Sequence, residues 1–281
     1  MITSVPSGTD VLPKGGVRMK RIGRKLCAIL CALLCLLPLT ACDNASGYRI
    51  IDTYSAEGSY VIAFRKDDRI CEFVSAALRE LAANGSLRSA SYRWFGEDLV
   101  SVRGQGGEMN DLWEEVPDRT ITVGVDITNM PMSYETDEGY LGFDIDMANY
   151  ICGYLGWQMV IYPIDPADVD VELQSGNIDM AMGIPESDES DTFSYSPAYL
   201  TSRYVLVARV SGKVRDRSAM KGKCLGVAIT DLEILMQDEK FVSGLGSITY
   251  QTNTDGLFRA LLDGDVDGIL VSSVVAAYYM K

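Results

Sequence analysis

After residue 118, the spacing of apolar residues alternates between two patterns. Short apolar runs predict strands at 121–125, 158–162 and 178–182. Between these runs, apolar residues recur at helical spacing, which predicts helices at 144–155 and 169–174. Strands that alternate with helices are typical of a doubly wound sheet. The pattern therefore predicts an α/β unit.

A second α/β unit follows the first. Its apolar runs predict strands at 204–208, 224–229, 248–251 and 267–271. Helices are predicted from about 231, at 255–262 and from 274 onward. This unit reaches Lys281 without the last elements that such a unit needs. We therefore expect another part of the chain to complete it.

The segment at 48–94 predicts elements that cannot form a core alone. Two strands are predicted at 48–53 and 60–64, and a short helix at 87–94. Over 69–83 the apolar residues form one helical stripe. About sixty residues of this kind bury too little surface to be stable by themselves. We expect them to pack on the later units.

The chain begins with the features of an export signal. A basic stretch at 20–25 precedes an apolar run at 26–39, which is shorter than the roughly 20 residues of a spanning helix. The sequence L-T-A-C at 39–42 resembles the bacterial lipoprotein box. We expect removal of 1–41 and lipidation of Cys42, with Met19 as the more natural start. An uncleaved hydrophobic anchor is the alternative.

Composition and charge exclude several classes of function. The 281 residues carry a net charge of −14, which argues against nucleic acid as a partner, because phosphate binding needs a basic surface. The absence of His excludes His-dependent triads and His-ligated metal sites. We expect no metal and no cofactor. Four methionines offer a thioether site as an alternative, although core packing is their usual role; they are Met130, Met132, Met180 and Met182.

Five short motifs occur in one order after residue 118. They are G-F-D-I-D at 142–146, L-Q-S-G-N-I-D at 173–179, Y-S-P-A-Y at 195–199, L-D-G-D-V-D-G at 262–268 and V-V-A-A-Y-Y at 274–279. Together they resemble the extracytoplasmic solute-binding proteins of polar amino acid ABC transporters. The resemblance implies a two-lobed α/β periplasmic-binding-protein fold of type II, with doubly wound sheets that close on a ligand about a hinge.

A further block resembles the C-terminal end of this family but precedes its N-terminal end. It spans 60–96, and the elements missing after Lys281 are those found at 48–98. From this complementarity we infer a circular permutation; the remains of a tandem gene pair are the alternative. We expect a signal at 1–41, lobe one at 57–98 and 118–205, lobe two at 47–56 and 206–281, a linker at 99–117, and a hinge near 52–58 and 204–208.

The positions that hold the ligand in the amino acid binders carry other residues here. The Arg that grips the ligand carboxylate falls on Glu189, and the Asp that takes its ammonium falls on Ser272. The turn that opens a helix of the second lobe falls on Thr230, and two stacking aromatics fall on Asn129 and Pro166. The resemblance therefore implies a cleft without the usual clamp for an amino acid zwitterion.

Acidic and aromatic residues remain around the expected cleft. We predict a cationic ligand, held by carboxylates and aromatic faces; a solvated acidic loop at 186–191 is the alternative. The predicted ligand-binding residues are Asp126, Asn129, Tyr134, Glu186, Glu189, Thr230 and Ser272.

The resemblance favours a non-enzymatic function. We expect a monomer, tethered to the outer face of the cell membrane, that delivers a small polar solute, an amino acid or an amine, to an ABC permease. One alternative is a dehydratase-like enzyme on the same fold, with Glu186 or Glu189 as acid and base. The other is a sensor or scaffold with a degenerate cleft.

Overall fold

The computed structural model describes residues 47–185 and 192–281, all within the unit Asn44–Lys281. The signal predicted at 1–41 and the predicted lipidation site Cys42 lie outside the described residues, as do Glu186 and Glu189.

The N-terminal segment supplies one long strand and two helices, β1 (Tyr48–Arg65), α1 (Ile70–Ala83) and α2 (Ser86–Phe95). The predicted stripe on α1 is confirmed, because its apolar residues from Ile70 to Leu81 are buried. The two strands predicted at 48–53 and 60–64 are one strand. A neighbouring strand, described below, pairs with β1 from Tyr48 to Tyr60 and bridges the polar stretch between them.

The first α/β unit has the predicted order of strands and helices. It contains β2 (Thr120–Val125), α3 (Phe143–Leu155), β6 (Gln158–Pro163), α4 (Val169–Ser175), β7 (Met180–Pro185) and β8 (Phe193–Tyr195). Between β2 and α3 lies a small antiparallel sheet of β3 (Thr128–Asn129), β4 (Ser133–Thr136) and β5 (Gly139–Leu141). Met130, Pro131 and Met132 join β3 to β4, and Asp137 and Glu138 join β4 to β5.

The second unit begins with β9 (Leu200–Arg209), the strand that pairs with β1. It continues with β10 (Cys224–Ala228), α5 (Leu232–Met236), α6 (Glu239–Val242), β11 (Ser247–Gln251), α7 (Thr254–Asp263), β12 (Gly268–Ser272) and α8 (Ser273–Met280). The predicted strands and the helices after 254 are confirmed. The helix predicted from about 231 is split into α5 and α6 at Gln237 and Asp238.

The larger strands form one sheet in the order β11-β10-β12-β9-β1-β7-β2-β6. We call β7, β2 and β6 the first half-sheet, and β11, β10 and β12 the second half-sheet. Strands within each half-sheet pair in parallel. The long strands β9 and β1 lie between the halves and run antiparallel to each other. The strand at 60–64 thus joins the sheet of 121–125 through β7.

The apolar core is divided in the same way as the sheet. One cluster packs α1, α2 and α3 on the first half-sheet, and includes the fully buried Phe143 and Leu78. Two other clusters cover the faces of the second half-sheet. Met132 and Met180 are buried in the first cluster, which accords with packing as their role.

The predicted linker at 99–117 follows the surface of the first core. The linker residue Met109 is fully buried in this core. Ser101 donates its backbone N–H to the carbonyl of Tyr199. At Gly104 the backbone passes so close to Arg79 that an added Cβ would lie 1.9 Å from the carbonyl oxygen. Glycine is therefore required at this contact.

Candidate functional site

A cavity of about 660 Å³ opens where the carboxyl ends of strands from both half-sheets meet. Asp126 follows β2, Pro185 ends β7, Ala228 ends β10 and Ser272 ends β12. In open α/β sheets, ligands bind outside the carboxyl ends of the strands. The volume also lies in the range of small-molecule sites. Topology and size therefore make this cavity the candidate ligand site.

Asp126 supports the loop that forms one wall of the cavity. Its Oδ1 accepts hydrogen bonds from the backbone N–H and the hydroxyl of Thr128, at 2.8 and 2.7 Å. Its backbone carbonyl accepts the hydroxyl of Ser133 at 2.7 Å. These bonds form an Asx turn after β2. They fix the Asp126 carboxylate at the cavity wall.

Asp144 is the buried carboxyl group of the same wall. It lies on the first turn of α3, and Tyr199 donates its hydroxyl to Oδ1 at 2.6 Å. The preceding Gly142 allows this placement: an added Cβ would lie 2.1 Å from the Met132 carbonyl oxygen. Burial raises the pKa of Asp144 to about 7, against the opposing effect of the Tyr199 hydrogen bond.

Asp231 and Tyr204 form the opposite wall. The Tyr204 hydroxyl donates to Asp231 Oδ1 at 3.0 Å. Burial raises the pKa of Asp231, while the hydrogen bonds from Tyr204 and Thr230 act in the other direction. Burial also raises the pKa of the Tyr204 phenol, and the Asp231 charge adds to that effect. The carboxylate is therefore partly desolvated and held by an aromatic neighbour.

Tyr60 lies between the two walls. Burial raises the pKa of its phenol to about 12, and the charges of Asp144 and Asp231 both contribute, while Ser272 acts in the other direction. Ser272 also caps α8, because its hydroxyl oxygen accepts the Val275 N–H at 3.3 Å. The phenol thus lies within electrostatic range of a carboxyl group from each wall.

The structure brings four of the predicted ligand-binding residues to this cavity, namely Asp126, Asn129, Thr230 and Ser272. Pro166 also lines it. Tyr134 is not among the lining residues; its ring packs against Trp94, with centroids 6.3 Å apart. Glu186 and Glu189 belong to the undescribed segment between Pro185 and Thr192. Their predicted role stays a prediction.

Sequence reasoning missed Asp144, Asp231, Tyr60 and Tyr204 as cavity residues. Asp144 was visible only as part of a family motif, and Asp231 only as the start of a helix. Tyr60 and Tyr204 lie on the antiparallel strands β1 and β9, where Tyr60 is paired with Leu200. The hinge predicted near 52–58 and 204–208 was the signal that linked these two strands.

The charge of the lining is one-sided. Four aspartates contribute to it, Asp126, Asp144, Asp170 and Asp231, and none of the lining residues in the described part of the chain is Lys or Arg. Such a surface attracts cations and repels anions. Across 47–185 and 192–281, the His, Cys, Asp and Glu residues form no group of three or more suited to a metal ion. None of the helices described there is both long and apolar enough to span a membrane.

Comparison with known proteins gives consistent matches. Residues 121–263, just over half of the chain, match the bacterial extracellular solute-binding proteins, family 3. The arginine-binding extracellular protein ArtP of Bacillus subtilis (strain 168) is 19% identical over 169 residues, 58% of this chain and 65% of that protein. The L-cystine-binding protein TcyJ of Escherichia coli (strain K12) is 27% identical over 177 residues, 60% of this chain and 65% of that protein.

The fold has a counterpart among solved structures. The structure of an ancestral cationic amino acid solute binding protein (AncCDT-1) is 24% identical, with a TM-score of 0.52, and the match covers 62% of this chain and 76% of that one. The chain spans slightly less than two thirds of the length of the two curated relatives, 65% of each. The α/β architecture is that of the periplasmic binding proteins. This chain belongs to the bacterial extracellular solute-binding proteins, family 3.

Proposed function

We propose that this protein is an extracellular solute-binding protein that delivers a small polar solute to an ABC importer. The observation that carries the proposal is the cavity at the carboxyl ends of both half-sheets, in a chain of this family. Two relatives are named for binding arginine and L-cystine. A solute of similar size would fit a cavity of about 660 Å³.

Binding would close the two halves of the molecule around the solute. The strands β1 and β9 lie between the half-sheets, and their pairing is irregular between Thr53 and Glu57. Such an interruption concentrates bending in a few residues, which is how hinges work. The hinge predicted near 52–58 and 204–208 includes this irregularity. Tyr60 and Tyr204 lie beside it and would move as the walls approach.

The proposal includes a permuted chain order. One observation supports it: β1 joins the sheet beside β7, which in turn pairs with β2. The lobe boundaries at 57–98 with 118–205, and at 47–56 with 206–281, are part of the same proposal.

The proposed location is the outer face of the cell membrane, with Cys42 as the lipid attachment site and the ABC permease as the partner. Mass spectrometry of the protein from membranes tests the anchor. A lipid-modified Cys42 at the mature N-terminus is the expected result, and an unmodified Cys42 would contradict it.

We propose that the protein acts as a monomer and without catalysis. The named relatives are mainly binding proteins. A bound solute should therefore be recovered unchanged after incubation, and formation of a product would favour the dehydratase-like alternative.

A thermal-shift screen of the full chain tests the proposed function. The panel contains amino acids, amines, small peptides and organic acids. A ligand at 100 times its Kd adds about 2.7 kcal/mol to the free energy of unfolding, which a melting curve resolves. One responsive class is expected. A cooperative melt that no class shifts would contradict a solute-binding function.

A further inference from the structure

The charged residues of the cavity walls restrict the class of solute further. The inference drawn from them rests on the proposed function. We infer that the solute is an organic cation without a carboxylate group, an amine or guanidine rather than an amino acid. Its positively charged groups would contact Asp231 on one wall and Asp126 and Asp144 on the other.

The first observation is the missing partner for a carboxylate. Every amino acid carries an α-carboxylate, and burying it requires a cation or several free donors. The lining residues of the described chain include four aspartates and neither Lys nor Arg. A ligand carboxylate would therefore be desolvated next to like charges, which disfavours binding.

Two of the helix starts at the cavity, those of α7 and α8, give little substitute for that cation. A helix N-terminus attracts anions through its free N–H groups. At α7, Asn253 accepts the Gly256 N–H at 2.8 Å, and at α8, Ser272 accepts the Val275 N–H at 3.3 Å. Both caps line the cavity. In each helix, one of the free backbone N–H groups is therefore already bonded to the capping side chain and is not available to a ligand carboxylate.

The second observation is a carboxyl oxygen of Asp144 at the cavity that accepts no hydrogen bond from the described residues. Asp144 is 1% exposed and lines the cavity. Oδ1 accepts the Tyr199 hydroxyl, whereas Oδ2 has no hydrogen-bond partner among residues 47–185 and 192–281. Oδ2 lies beside Gly183, 2.6 Å from the position of an added Cβ there. This oxygen is therefore free to accept a hydrogen bond from a donor on the solute.

The arrangement of the walls fits a cation with charge at both ends. Asp126 and Asp144 belong to the first half-sheet and its helix, and Asp231 follows β10 of the second. Tyr60 lies between them and is influenced by both Asp144 and Asp231. Its ring and that of Tyr204 line the same space, where aromatic faces stabilise a desolvated cation.

Pairs of ligands that differ by one carboxylate test the inference. Isothermal titration of the full chain would compare agmatine with arginine, cadaverine with lysine, and putrescine with ornithine. The buffer contains about 0.15 M salt, so that the overall negative charge is screened. For at least one pair, the decarboxylated member should bind with a Kd at least about tenfold lower.

The outcomes separate this inference from the proposed function. If the amino acid of every binding pair binds as well as its decarboxylated partner or better, the inference is wrong and the proposed function stands. If an uncharged or anionic solute binds and these amines do not, the inference is also wrong and the proposed function also stands. If no solute in the titrations or in the thermal-shift screen binds, both are wrong.

A charge-neutral variant tests the residue assignment. Asp231→Asn keeps an acceptor for the Tyr204 hydroxyl but removes the charge, and should weaken binding of the preferred amine at least about tenfold. Asp137→Asn is the matched control, because Asp137 is exposed in the turn between β4 and β5, outside the cavity lining. It should leave the Kd unchanged. Equal affinities of all three proteins would remove Asp231 from the site.

Discussion

The two walls of the cavity hold their carboxyl groups in different ways. On the first wall, Asp126 accepts two hydrogen bonds from Thr128, and Asp144 is buried against Tyr199. On the second wall, Asp231 is only partly buried and is held by Tyr204 and, at 3.4 Å, by Thr230. The first wall therefore couples one acidic group, Asp144, to folding. The second leaves its acidic group more available to a solute.

The largest expected effect comes from removing the charge of Asp144. The pKa of this carboxyl group is about 7 in the folded chain, compared with about 3.9 in an unfolded one. The unfolded chain therefore loses its proton first, and the free energy of unfolding falls as pH rises from about 4 to about 7. The cost above pH 7 is on the order of 4 kcal/mol.

Asp144→Asn should abolish this pH-dependent loss. Urea unfolding of both proteins between about pH 4 and pH 8 measures it. The variant should gain stability relative to the original chain as pH rises. A difference that does not change with pH would mean that Asp144 has an ordinary pKa when folded.

A smaller effect is expected from Tyr199→Phe, which removes the donor to Asp144. The loss should be about 2 kcal/mol above pH 7, because a buried charged acceptor loses its hydrogen bond. Tyr195→Phe is the control, since no hydrogen bond of its hydroxyl occurs within the described residues. Equal stability of the two variants in urea would contradict the coupling of Asp144 to folding.

The smallest effect is expected on the second wall. Tyr204→Phe removes the hydroxyl that donates to Asp231 at 3.0 Å. Water can reach this carboxylate, so the free energy of unfolding should fall by about 1 kcal/mol or less. The urea midpoint of this variant is measured beside that of Tyr199→Phe, so that the contributions of the two tyrosine hydroxyls to stability are compared directly. A larger loss for Tyr204→Phe would reverse the assignment of the two walls.

The sequence could predict features that depend on neighbouring residues, but not those that depend on distant segments of the chain. Helical and strand spacing is local, so the elements of both α/β units follow from apolar periodicity. The fusion of two predicted strands into β1 depends on β9, which is distant in the chain. Apolar spacing contains no signal for that pairing, and the hinge expected near 52–58 and 204–208 came from the family resemblance instead.

Site residues divide in the same way. Asp126 and Ser272 follow strands whose positions the motifs indicate, and both line the cavity. Tyr60 and Asp231 are 171 positions apart in the sequence, and only the crossing of β1 and β9 between the half-sheets brings them to one cavity. Tyr134 is an aromatic residue of the kind that often contacts ligands, but on β4 its ring packs against Trp94.

A crystal structure of the full chain grown with agmatine shows directly whether an organic cation occupies the cavity. We expect agmatine between the two walls, with one positively charged end within hydrogen-bond distance of Asp231 and the other near Asp126 or Asp144. Agmatine bound elsewhere on the surface, or a cavity occupied instead by an amino acid whose carboxylate meets a cation, would contradict it.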